Sequence, residues 1–388
     1  MKLESVQLRL VELPLVTPFQ TSFGTETARR ALVVQVVTDA GEGWGECVCG
    51  AEPGYSSEFV DSAWLTLGAF LIPPVLDAGD IAAADLRDLL KGVKGHRMAK
   101  AGLELALLDA ELRQKGESFR SFLGGTATSV RPGVSVGIAD SVAELAEIVS
   151  GHVEEGYSRV KLKIKPGWDF EPAAAVRELL GEDFMLQVDA NTAYRRDDID
   201  LLAALDDLDL LLIEQPFDED DLLGHAILAA SIDTPICLDE SIVSTSTALQ
   251  AIDLQACSII NVKPGRVGGY LEAWDMHEAC LELHVPVWVG GMLETGIGRA
   301  ANLALATLPG FVLPGDISAT DRYFKEDITE RFVLHDGEIA VPDGPGLGVE
   351  VDKDALERFT TRSEVFSAGS SVVATIRTPA EAVVTPAE

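Results

Sequence analysis

Positive charge is scarce in this sequence. Its 388 residues carry 30 Lys and Arg against 63 Asp and Glu, a formal net charge of −33. Phosphate backbones and anionic membrane surfaces are recognised through basic patches, so neither nucleic acid nor membrane is an expected partner. The same imbalance means that an anionic substrate must be drawn in by a local cluster of cations. Long apolar runs are also missing. No stretch reaches the roughly 18 residues of a membrane span, and the N-terminus lacks a charged-then-apolar signal pattern. The expected location is the cytoplasm. The five cysteines (Cys47, Cys49, Cys237, Cys257 and Cys280) show neither a disulfide framework nor paired C-x-x-C spacing. There is no G-x-S-x-G elbow and no Walker loop. The six histidines (His96, His152, His225, His277, His284 and His335) fall on predicted helices, loops or strand starts, away from strand ends where a base would sit.

What is present is an apolar content of 47%, ample for a large core, and a regular ladder of charges. Five short apolar runs, VKLKIK (160–165), LQVDAN (186–191), LLLIEQP (210–216), PICLDES (235–241) and SIINVKPG (258–265), are each interrupted by a charged residue. Lys163, Asp189, Glu214, Asp239 and Lys263 lie 26, 25, 25 and 24 residues apart. Each run reads as a buried strand, and each interval accommodates one returning helix. That rhythm predicts an α/β fold, a (β/α)7β TIM-like barrel with its chemistry at the C-terminal strand ends.

The chain divides accordingly. Residues 1–130 are expected to form an α+β capping domain, with strands at 6–15, 31–37 and 43–49 and helices at 57–70, 81–91 and 97–115. The barrel occupies 131–325, opening with PGVSVGI (132–138) and ending with a short strand near 311–316. A Gly/Pro-punctuated segment over 326–366 returns to the capping domain, and 367–388 reads as a flexible tail.

Side chains alternate along a strand, so the ladder's chemistry can be placed. Three acids on neighbouring buried strands would repel each other without a cation. Hard oxygen ligands on a rigid scaffold favour Mg²⁺, or another divalent ion such as Mn²⁺, on Asp189, Glu214 and Asp239. Glu240 points to the opposite face of an ideal strand and reaches this site only by turning in at the strand end. Lys161, Lys163 and Lys165 share one face. Two ammoniums about 6.7 Å apart at an effective dielectric near 20 repel by about 2.5 kcal/mol, so a lysine beside a metal could fall to roughly 7–8 and serve as a base. With PGVSVGI as strand one, Lys163 on strand two and Lys263 on strand six face each other across the ring. That arrangement suits removal of a proton α to a carboxylate. The glycine cluster PGRVGGY (264–270) could cradle a phosphate, but it reads better as a loop turning close to the substrate.

The ordered set VKLKIK, QVDAN, IEQP, CLDES and NVKPGRVGG resembles the enolase superfamily in its muconate-lactonizing branch, where Lys or His bases work with Mg²⁺ on an enediolate. It is similar, more closely, to the o-succinylbenzoate synthase / N-acylamino acid racemase group, through PFQTSFGTE, GEGWGECV, KGHRMAK and GGMLETGIGRAAN among others. The resemblance covers the chain up to about residue 365. It implies an enolase-like fold and a homo-oligomer. The implied reactions are dehydration of a cyclohexadiene carboxylate to the menaquinone precursor o-succinylbenzoate and racemisation of N-acylamino acids, both acting on an anionic small carboxylate. It makes Lys163 and Lys263 the acid/base pair, Lys161 the assistant of Lys163, and Asn191 a neighbour of the metal. Phe19, Phe23 and Tyr55, on loops 18–26 and 51–58, would touch the substrate's apolar part. Ser135, Arg266, Gly291, Met292 and Glu294 would complete the pocket. A muconate cycloisomerase is compatible with the ladder alone, and a catalytically silent binding barrel is the reading from another class. The intact set of buried like charges speaks against the silent barrel.

Overall fold

The computed structural model describes residues 1–20, 24–367 and 373–376. Apolar alternation in the first 47 residues produces an antiparallel meander of β1 (Leu3–Gln20), β2 (Thr25–Thr38) and β3 (Gly41–Cys47). Val6, Leu8 and Leu10 of β1 turn inward at the period of two that a half-buried strand requires. The helices that follow are α1 (Val60–Thr66), which runs through a π-helical turn at Leu67–Leu71 into α2 (Ile72–Ala78), then α3 (Leu86–Leu89), α4 (Arg97–Lys115) and α5 (Phe119–Leu123). The helix expected over 57–70 is therefore longer. Pro73 and Pro74 read as a stop, yet they sit in the first turn of α2, where a missing N–H costs no intrahelical bond. The helix expected over 81–91 shrinks to one turn of 3-10 helix (Ala83–Asp85) and α3. α4 covers the expected 97–115 and lies directly on β3. A Cβ on Gly45 would stand 2.1 Å from the carbonyl oxygen of Gly102, so glycine is what lets the two backbones touch.

β4 (Ser129–Val130) leads into seven parallel strands, β5 (Val134–Val136), β6 (Arg159–Lys163), β7 (Met185–Asp189), β8 (Ile213–Glu214), β9 (Ile236–Leu238), β10 (Ile259–Val262) and β11 (Val287–Val289). They stand side by side in chain order. Their connecting helices are α6 (Val142–Glu155), α7 (Phe170–Leu180), α8 (Ile199–Ala203), α9 (Leu222–Ala229) and α10 (Thr245–Asp253). After β10 come the single turn α11 (Pro264–Val267) and α12 (Tyr270–Glu282), and after β11 comes α13 (Gly296–Leu305). The eighth position is filled by an irregular segment rather than the expected short strand. Asp316 N donates to Val289 O at 2.8 Å, and Gly133 N donates to Gly315 O at 2.7 Å, so this segment bonds to both β11 and the entry to β5 and closes the ring. Pro314 and Gly315 break the strand pattern there.

The chain then returns to its first sheet. β12 (Ile339–Ala340) pairs with β4, α14 (Lys353–Phe359) follows, and β13 (Thr360–Ser367) runs antiparallel to β1. β14 (Val373–Ile376) adds to the other edge of β13. It lies within the stretch read as tail, whose first residue, Ser367, ends β13; 368–372 and 377–388 fall outside the described residues. Among the described residues no helix is long and apolar enough to cross a membrane.

Candidate active site

The second barrel strand supplies cations to the interior. Strand alternation turns Arg159, Lys161 and Lys163 inward, all buried. Lys165, expected on the same face, is exposed, because the strand ends at Lys163 and the chain turns through Gly167. Arg159 donates to Asp316 at 2.7 Å and to the carbonyl of Pro314, tying the eighth segment to the barrel floor. Lys161 lies between three carboxylates, with Asp316 at 2.5 Å, Asp189 at 3.1 Å and Glu214 at 3.2 Å. It also stands 5.0 Å from the ring centre of the buried Trp288. Lys163 donates to Asp189 Oδ2 and to Asn191 Oδ1, both at 2.6 Å.

Parallel register places Lys163, Asp189 and Glu214 as direct neighbours on β6, β7 and β8. Asp239 follows at the end of β9, where Lys263 reaches Oδ2 at 2.8 Å and the Arg266 guanidinium pairs with Oδ1. Glu240 does turn inward at the strand end. Asn191 Nδ2 donates to its Oε1 at 2.9 Å, while Oε2 is buried without a hydrogen-bond partner. The backbone here leaves its usual regions. Asn191, Thr192 and Gln215 have φ of 43°, 63° and 37°, left-handed values that non-glycine residues hold only when their surroundings enforce them.

Electrostatics set these groups against each other. Burial disfavours the Lys161 ammonium, but Asp316, Glu214 and Asp189 outweigh it and raise its pKa. At Lys161 the carboxylate partners thus outweigh the repulsion of the neighbouring cations. Lys263 is raised too, burial being outweighed by Tyr55, Glu240, Glu214 and Asp189. Burial would raise Asp189, yet Lys163 and Lys161 hold it down at about 2. Burial and the neighbouring Asp189 raise Glu214 and push Glu240 up to about 7. Arg159, Lys161, Lys163, Lys263 and Arg266 each have a carboxylate within reach. Among the described residues, no group of three or more His, Cys, Asp or Glu is arranged to hold a metal ion as it stands. The ammoniums of Lys161, Lys163 and Lys263 lie against the three acids instead.

Above this cluster lies a cavity of about 660 Å³ between the capping domain and the barrel. Lys163, Asn191 and Lys263 form its floor, and Phe19, Tyr55 and Met292 contribute to its walls. Gly291 also lines it; a Cβ there would meet the carbonyl oxygen of Asp316 at 2.4 Å. Tyr55 reaches furthest down, its hydroxyl 3.0 Å from Asp239 Oδ1 and its ring centre 4.4 Å from Lys263 Nζ. Phe23 lies outside the described residues. Three expected pocket residues are not among those that line this cavity. Arg266 is buried behind the floor, donating to the carbonyls of Ile242 and Asn261 and, at 3.3 Å, to the hydroxyl of Tyr55 in the cavity wall. Glu294 accepts from Met292 N and Asn302 Nδ2, both at 2.9 Å, and so folds the loop against α13 rather than lining the cavity. Ser135 is buried on β5 beside Lys161 in the register.

Sequence reasoning missed Asp316, Asn261 and Gln215. Asn261 donates to Glu214 Oε1 at 2.7 Å, and its position two before Lys263 placed it on the same face, a signal that was available. Gln215 Oε1 accepts from Asp239 N at 2.9 Å and Ser241 N at 3.2 Å, fixing the turn that carries Asp239. Asp316 ends the segment read as the last strand, but no apolar alternation around it marked its side chain as facing the barrel interior.

A seven-strand parallel ring with this ladder, roofed by an antiparallel capping sheet, defines a class. Residues 5–124 match the Mandelate racemase / muconate lactonizing enzyme N-terminal domain, and 143–355 match the Enolase C-terminal domain-like family. The chain belongs to the mandelate racemase / muconate lactonizing enzyme family of the enolase superfamily. It is 58% identical to an N-succinylamino acid racemase from Amycolatopsis sp, over 93% of this chain and 98% of that protein. It is 44% identical to an o-succinylbenzoate synthase from Geobacillus stearothermophilus, over 94% of this chain and 97% of the relative. A crystal structure of an enolase superfamily member from Listeria innocua superposes with a TM-score of 0.91 at 39% identity, covering 95% of this chain and 99% of that one.

Proposed function

We propose that the protein is an o-succinylbenzoate synthase that also racemises N-succinylamino acids, both through abstraction of a proton α to a carboxylate. The observation that carries this reading is the pair of lysines, Lys163 from strand two and Lys263 from the end of strand six, on the floor of one cavity. The similarity to relatives bearing both names supports it.

A divalent cation, Mg²⁺ by preference, belongs to the proposal. The residues fit it in donor chemistry, three hard carboxylates on consecutive strand ends. They fit it in charge as well, since Glu240 keeps a buried, unpartnered oxygen beside them. Asp189, Glu214 and Asp239 would hold the ion, which when bound supplies positive charge to the substrate carboxylate. An ion on Asp189 and Asp239 would compete with Lys163 and Lys263 for those carboxylates.

The chain's own residues account for the proton movements. In racemisation, Lys163 takes the α-proton from one enantiomer and the Lys263 ammonium returns one to the opposite face; the roles exchange for the other enantiomer. In dehydration, Lys163 takes the proton and passes it to the departing hydroxyl, while protonated Lys263 stabilises the charge that develops. Asn191, bonded to both Lys163 and Glu240, keeps the first amine aimed at the cavity. Phe19, Tyr55 and Met292 exclude water and accept the apolar part of the substrate. A cytoplasmic setting on the route to menaquinone and a homo-oligomeric state complete the reading. Exposed Leu223 and Ile227, four apart on α9, are apolar surface that another copy could cover.

Incubation with N-succinyl-phenylalanine and Mg²⁺ in D₂O tests the racemase activity, and the cyclohexadiene carboxylate tests the synthase. Exchange of the α-proton, stopped by EDTA, is expected. No exchange sinks the racemase reading, and no dehydration sinks the synthase reading.

A further inference from the structure

The capping domain has a second cavity, of about 240 Å³, between α3 and the first turn of α4. It shares no lining residue with the cavity above the lysine pair. Five cations line it, Arg87, Lys91, Lys94, Arg97 and Lys100, in a chain with 30 Lys and Arg in all. Arg87 is held by Asp275 at 2.7 Å and Glu272 at 3.3 Å, and Lys91 by Asp88 at 3.6 Å. Lys94, Arg97 and Lys100 make no ion pair among the described residues. Lys100 donates to the carbonyl of Val93 at 2.5 Å, which uses one of its three hydrogens. Three unpaired cations crowded into one concavity is an unusual arrangement for a protein with 63 carboxylates.

Two acids, Glu104 and Glu272, also line the groove, and both have partners. Glu104 accepts from Leu271 N at 3.1 Å, and Glu272 Oε1 takes the backbone and hydroxyl of Thr245 at 2.8 and 2.9 Å. Glu58 accepts from Met98 N and Ala99 N, so the N-terminus of α4 is already satisfied and contributes no vacancy. Burial and the like charge of Arg97 lower the Lys100 pKa, with Lys94 adding to them, and the carboxylate of Glu58 offsets them only in part.

We propose that this groove binds a small multivalent oxyanion of the phosphate class, either free or as the phosphoryl group of a small molecule. The Arg97 fork offers paired N–H donors in the geometry that two phosphoryl oxygens accept, and Lys94 and Lys100 add point charges. The cavity is too small for a polyanion, and the protein's net charge repels one. Its far wall is Val267 and Gly268, immediately after Arg266 and one helical turn from Lys263. The occupant would therefore rest against the loop that carries one of the two floor lysines.

Titration calorimetry of the full-length, Mg²⁺-loaded protein with inorganic phosphate, against chloride at matched ionic strength, tests this. One saturable site per chain is expected, weakened about tenfold or more by Lys94→Ala and by Arg97→Ala, and kept in Lys263→Ala. Lys94 is exposed, so its replacement leaves the fold intact. Glycerol phosphate binding more tightly than phosphate assigns the anion to a phosphorylated small molecule; equal binding assigns it to the free ion. The proposal is overturned by the absence of saturable heat, by heat that both groove variants retain, or by heat that Lys263→Ala removes. Dissociation of an oligomer by Lys94→Ala in sedimentation velocity, with no phosphate heat, would assign the groove to the carboxylates of a second copy and overturn it equally.

Discussion

Glu46 offers a measurable consequence of how the capping domain is fastened to the barrel. It leaves β3 fully buried and accepts hydrogen bonds from Thr295 N, Thr295 Oγ1 at 2.7 Å and Gly298 N at 3.2 Å, at the start of α13. Burial pushes its carboxyl up to about 7 from 4.5, against Arg29 and the Thr295 hydroxyl, which pull it down. Between those values the folded chain holds a proton that the unfolded chain has released, so raising the pH favours unfolding. The stability tied to Glu46 is greatest below pH 4.5 and is lost as the pH passes through 7. At about 1.4 kcal/mol per unit, the loss is about 3 kcal/mol. With an unfolding entropy of about 2.1 cal/mol/K per residue, that is a fall of about 4 °C in Tm for a chain of this length. Glu46→Gln removes the titration while keeping an acceptor for one of the α13 donors. Between pH 5 and pH 8 about 2.5 kcal/mol of this falls away, so scanning calorimetry at those two values, at matched ionic strength, should show the wild-type protein losing about 3 °C more than the variant as the pH rises. Parallel profiles would refute the reasoning, since they would mean that Glu46 is ionised in the folded protein throughout.

Other consequences follow from the barrel floor. Lys161→Met strands Asp189, Glu214 and Asp316 without their shared cation and should cost about 3–5 kcal/mol, seen as a Tm roughly 4–6 °C lower. Gly290→Ala puts a Cβ 2.1 Å from Asn261 Oδ1 and 2.6 Å from Lys263 Cε, so steady-state kinetics should show kcat at least about tenfold lower with the fold retained. Mg²⁺ at about 100 times its dissociation constant should stabilise the protein by about 2.7 kcal/mol in thermal melts; EDTA should reverse this, and Asp239→Asn should abolish it.

The ladder was legible because strand spacing and side-chain alternation are strict. A charge every two dozen residues in an apolar run has few explanations other than successive strands of a ring, and counting those strands set Lys163 against Lys263. The same alternation misplaced Lys165, since periodicity does not reveal where a strand stops and Gly167 turns the chain. Asp316 was illegible for the opposite reason. Its segment, VLPGD, reads as a short strand, but it closes the barrel through isolated hydrogen bonds, and Pro314 and Gly315 leave no alternation to say which way Asp316 faces. The repulsion between lysines on one strand was weighed without Asp316, the carboxylate that acts most strongly on Lys161. Glu294 looked like a pocket residue because it follows Gly291 and Met292, but its carboxylate turns back to Met292 N and Asn302. Such local backbone demands are decided by loop conformation, which composition does not encode.

The central claim is that two opposed lysines serve opposite faces of one substrate. Lys263→Ala, assayed in D₂O with each enantiomer of N-succinyl-phenylalanine separately, tests it most directly. One enantiomer should still exchange its α-proton through Lys163 while the other is inert and net racemisation is lost. Exchange of both enantiomers in this variant would contradict the two-lysine account.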